Sequence, residues 1–87
     1  MEVYEMEFLR ATELTPEVAA AIDNAFDYHP WDGMQAAKGA EVRKALAEAV
    51  KVIVANVPPS ADRSAAIRKI REARMDCNSA ITHGGKY

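Results

Sequence analysis

The chain is poor in the residues that staple small folds. Its one cysteine, Cys77, has no partner for an internal disulfide. Its two histidines, His29 and His83, fall short of a four-ligand zinc site even with Cys77. No apolar run approaches the roughly 20 residues that cross a bilayer. The opening Met1-Glu2-Val3-Tyr4-Glu5 is acidic, unlike a secretory leader. Glycine-rich phosphate loops, Gly-x-Ser-x-Gly, Cys-x-x-Cys and His-Glu-x-x-His are all missing. These absences lead us to expect a protein of the cytoplasm that is not an enzyme and has no cofactor, metal or membrane anchor.

What remains is 87 residues, 49% hydrophobic and 28% charged, enough for one small domain. With neither disulfide nor metal to brace a modest core, association with other chains is the remaining source of stability. The net charge of −2 hides a separation: residues 1–32 sum to −7 and residues 33–87 to +5. Such blocks favour packing of the acidic part near the basic part, in the same or a neighbouring chain, and can leave basic surface for an anion.

Thr15-Pro16-Glu17 reads as a helix start: a capping hydroxyl, a proline at the first position, then an acid near the positive end of the dipole. Val18, Ile22, Ala25 and Phe26 give that helix an apolar face, and His29-Pro30 stops it. Residues 1–14 partly alternate between apolar and polar, as in a short strand or an extended arm. Asp32 can cap a second helix over about 33–57, with Val42, Leu46, Ala49, Ile53 and Val57 as its stripe. Gly39 is its weak point and can permit close approach. Val57-Pro58-Pro59-Ser60 ends that helix and caps a third, over about 61–82. Ala66, Ile70, Ala73, Cys77 and Ala80 form its heptad-like seam, and Gly84-Gly85 closes it. The expected fold is therefore all-α: an N-terminal arm (1–14), then a helical-hairpin domain (15–87) in which a short helix precedes a long antiparallel hairpin. The alanine-rich seam buries little area, so several copies are expected to pack as a homo-oligomeric bundle.

The residues that could carry chemistry fall in two groups. Tyr28-His29-Pro30-Trp31 places two aromatic rings and an imidazole at a break between helices. There they can stack on a base, or plug the junction. Arg68, Arg71 and Arg74 share one surface of the third helix, and guanidinium forks suit phosphate or carboxylate. The same arginines can instead pair with acids of the N-terminal third of another copy. Long nucleic acid is a poor match for a chain with a pI near 5.6.

Four stretches carry a family likeness. They are Phe26-x-Tyr28-His29-Pro30, then Arg43-Lys44, then Val57-Pro58-Pro59-Ser60-Ala61-Asp62-Arg63-Ser64, then Ile67-Arg68-x-Ile70-x-x-Ala73-x-Met75-x-x-Asn78-x-Ala80-Ile81. In this order, over residues 26–82, the chain resembles the small phage helical-hairpin sponge proteins that counter the bacterial CBASS defence. A related hairpin serves in an anti-Thoeris sponge. The resemblance implies a non-enzymatic protein of the host cytoplasm that assembles as a hexamer. It would hold cyclic dinucleotides between protomers, with cyclic trinucleotides in separate three-fold pockets in some members. By position Tyr28 would stack on a base, and Arg43, or its neighbour Lys44, would meet phosphate. Arg63 and Arg68 are the candidates for a second pocket. The alternative function is a structural or protein-interaction module without a nucleotide ligand.

Overall fold

Capping chemistry sets the helix boundaries. The computed structural model describes residues 11–86 and contains three helices and no strand among them. Helix α1 spans Pro16–Phe26, α2 Gly33–Asn56 and α3 Ala61–His83. The expected strand or arm at residues 1–14 lies, for residues 1–10, outside the described residues. Thr15 Oγ1 accepts from the Val18 amide at 3.2 Å, satisfying one orphan donor of α1. Asp32 and Gln35 cap α2 reciprocally: the carboxylate accepts from the Gln35 amide at 2.8 Å, and Gln35 Oε1 accepts from the Asp32 amide at 3.0 Å. Ser60 Oγ accepts from the Arg63 amide at 3.1 Å to start α3. Gly84, at φ 61°, turns the chain out of α3 in the left-handed region that glycine tolerates.

Packing between elements is concentrated in α2 against α3, the expected antiparallel hairpin, and α1 adds little to it. Val42, Leu46, Ala49 and Ile53 of α2 and Ala66, Ile70, Ala73 and Cys77 of α3 are half-buried along the seam. Val57 and Ala80, expected on the same stripes, are exposed at the hairpin ends. Gly39 is the one fully buried residue among those described, and no described hydrophobic side chain is fully buried. At about 25 cal/mol per Å² of apolar surface removed from water, two half-buried stripes give weak compensation for ordering the chain. Meanwhile Leu14, Phe26, Tyr28, Met34, Val52 and Met75 are each more than half exposed. Monomeric proteins rarely present so much large apolar surface with so little enclosed.

Candidate functional site

The Tyr28-His29-Pro30-Trp31 segment joins α1 to α2 at the open end of the hairpin, and its rings divide into two kinds. Trp31 turns inward. Its indole Nε1–H donates to Thr82 Oγ1 of α3 at 2.7 Å, and its benzo edge lies on Gly39 of α2. A Cβ at position 39 would overlap Trp31 Cζ3 and Cη2. The close approach expected of Gly39 is thus an approach of the indole ring. Beside it, Gln35 Nε2 donates to the Ile81 carbonyl at 3.0 Å. His29 turns inward as well. Its Nε2 lies 2.7 Å from the Asn24 carbonyl, so that nitrogen carries the proton. The His29 ring meets His83 edge to face with centroids 4.9 Å apart. Pro30 is exposed.

Tyr28 is the exception. It is 87% exposed, and its ring is free to take a partner. Of the four residues singled out here, two fasten the junction and one aromatic face is left to solvent.

The cations divide in the same way. Arg63 lies at the far, closed end of the hairpin, where its guanidinium donates to the Val57 carbonyl at 3.0 Å across the prolyl turn. Arg43 and Lys44 on α2 and Arg68 on α3 are exposed and form no ion pair with a described residue. With a rise of about 1.5 Å per residue, Arg43 stands roughly 15 Å along α2 from its start, and Arg63 lies about 35 Å from the Trp31 junction. One chain therefore spreads these groups along its length and does not gather them around one cavity. A base and a phosphate reading Tyr28 and Arg43 together need residues from two copies, or a ligand laid along the helix.

A shallow pocket of about 250 Å³ lies elsewhere, on the outer flank of α3, lined by Arg71, Arg74, Met75 and Asn78. The arginine spacing pointed to two of these residues; Met75 and Asn78 were legible only as parts of the family likeness. Thr82 and Gln35 were missed. Their bonds across 51 and 46 residues of chain have no local sequence signal, although the part Gln35 plays in the Asp32 cap has one. Among the described residues no three His, Cys, Asp or Glu side chains converge to hold a metal ion. No helix of the described chain is long and apolar enough to cross a membrane.

The fold and site define an all-α hairpin protein with exposed aromatic and cationic side chains. Comparison with protein-family models, with curated proteins and with solved structures finds no match to this chain.

Proposed function

We propose that the protein is a non-enzymatic binder of cyclic oligonucleotides. It sequesters these second messengers at seams between copies of itself and so blunts a CBASS-type antiviral defence in the host cytoplasm. The observation that carries this is the contrast within one segment: His29 and Trp31 are committed to internal contacts, and Tyr28 stands 87% exposed. An exposed aromatic ring on a chain whose Arg43, Lys44 and Arg68 form no ion pair with a described residue offers what a cyclic dinucleotide needs, a face for the base and a cation for each phosphate. The symmetry argues the same way. A cyclic dinucleotide has two bases and two phosphates, matched by one Tyr28 and one Arg43 from each of two chains. A hexamer of such chains multiplies the sites. Lys44 is the neighbouring cation, and Arg63 and Arg68 serve a further subsite for cyclic trinucleotides, Arg63 with the donors that its bond to the Val57 carbonyl leaves.

Titration calorimetry of the unmodified chain with a cyclic dinucleotide tests this. Saturable binding is expected, with intact ligand recovered by chromatography after heat release. Heat with cleaved ligand would make the protein an enzyme, and absence of heat with both cyclic di- and trinucleotides would leave it an assembly scaffold.

A further inference from the structure

The exposed end of α1 and the outer flank of α3 are opposite in charge, and each carries an exposed apolar side chain. On α1, Phe26 is 81% exposed and is bordered by Asp23 and Asp27, both exposed and unpaired among the described residues. On α3, the pocket of about 250 Å³ is lined by Met75, Asn78, Arg71 and Arg74. Those arginines are exposed and form no ion pair with a described residue. Among the described residues helix α1 packs little on its own hairpin, and Phe26 at its C-terminal end is exposed. The pocket is smaller than the roughly 300–1,000 Å³ of a small-molecule site, and suits a single side chain.

We propose that the occupant is Phe26 of a second copy. Helix α1 of one copy lies against α3 of another, with the ring on Met75 and between the Arg71 and Arg74 guanidinium groups. Asp23 and Asp27 then face those arginines. Ring-on-sulfur and cation–ring contacts each favour this seating, and the opposite charges at its rim fix its register. The contact is of one surface with a different surface, so it closes either as a mutual exchange of α1 between two copies or as a ring of copies. It stands whether or not the protein binds a cyclic nucleotide.

The experiment uses two full-length variants, each disabling one side only. Phe26→Asp spoils α1 and keeps the α3 pocket. The double substitution Arg71→Glu, Arg74→Glu spoils the pocket and keeps α1. All three positions are exposed, so both variants are expected to stay helical by circular dichroism at low temperature, with a lower melting midpoint where association is lost. Sedimentation equilibrium is expected to show the unmodified chain associated and each variant weakened by roughly thirtyfold or more, as for a central interface residue. An equimolar mixture of the two is expected to recover association that neither shows alone, since one intact pocket then meets one intact α1. An unmodified chain that stays monomeric, variants that assemble as it does, or a mixture that stays dissociated would each overturn the proposal.

Discussion

Replacing Trp31 by alanine is expected to destabilise the fold by about 2–3 kcal/mol, a little below the range for a fully enclosed tryptophan because Trp31 is half-buried. In a domain whose whole stability is of the order of 0.05–0.15 kcal/mol per residue, that is a large share. From the linker that carries it, the indole touches both Gly39 of α2 and Thr82 of α3. Its removal frees the start of α2 from the end of α3. Gly39 offers a sharper check, because the sign of its effect depends on Trp31. With Trp31 in place, Gly39→Ala puts a methyl into the ring, which outweighs the roughly 1 kcal/mol that alanine gains over glycine inside a helix. With Trp31→Ala in the background, only the helix gain remains, and Gly39→Ala stabilises by about 1 kcal/mol. Thermal denaturation followed by circular dichroism for the four chains of this cycle measures the coupling. Equal effects of Gly39→Ala in both backgrounds would remove the indole from this role.

The second large effect concerns the ligand. Tyr28→Ala removes a stacking face worth about 1–3 kcal/mol per base, and Arg43→Ala a charge-assisted bond of about 1.5–3 kcal/mol. Each substitution is expected to weaken cyclic-dinucleotide affinity by more than about tenfold, given that 1.4 kcal/mol is one decade. Both side chains are exposed and form no hydrogen bond or ion pair with a described residue, so the melting temperature without ligand is expected to hold. Trp31→Phe is the contrast within the same segment. It loses the bond to Thr82 and some stability, while affinity stays near that of the unmodified chain because the ring faces inward. Calorimetry that ranked Trp31→Phe above Tyr28→Ala in damage to binding would assign the wrong ring.

The fold was legible because its boundaries are written in short-range chemistry. Thr15-Pro16, Asp32, Pro58-Pro59-Ser60 and Gly84 each act within a turn or two of the helix end they define. Gln35 belongs to that class too, as the reciprocal half of the Asp32 cap, and its spacing of three would have revealed it. The site was legible only in part. Tyr28 and Trp31 look alike as sequence, two rings beside a proline. What separates them is a hydroxyl 51 residues away and a missing Cβ on α2. Arg63 and Arg68 look alike as well, until the turn claims one guanidinium through the Val57 carbonyl. The sparse packing of α1 on the hairpin among the described residues is likewise a tertiary fact. Its periodicity announces an apolar face, and periodicity does not say whose surface that face meets.

In the proposed assembly a single chain encloses too little by itself, and copies supply each other's missing core and share the ligand between them. The melting temperature of the unmodified chain, measured from about 1 to about 100 µM with and without a cyclic dinucleotide, tests it most directly. The midpoint is expected to rise with protein concentration, and to rise again by roughly 10 °C or more at saturating ligand. A midpoint indifferent to both would contradict it.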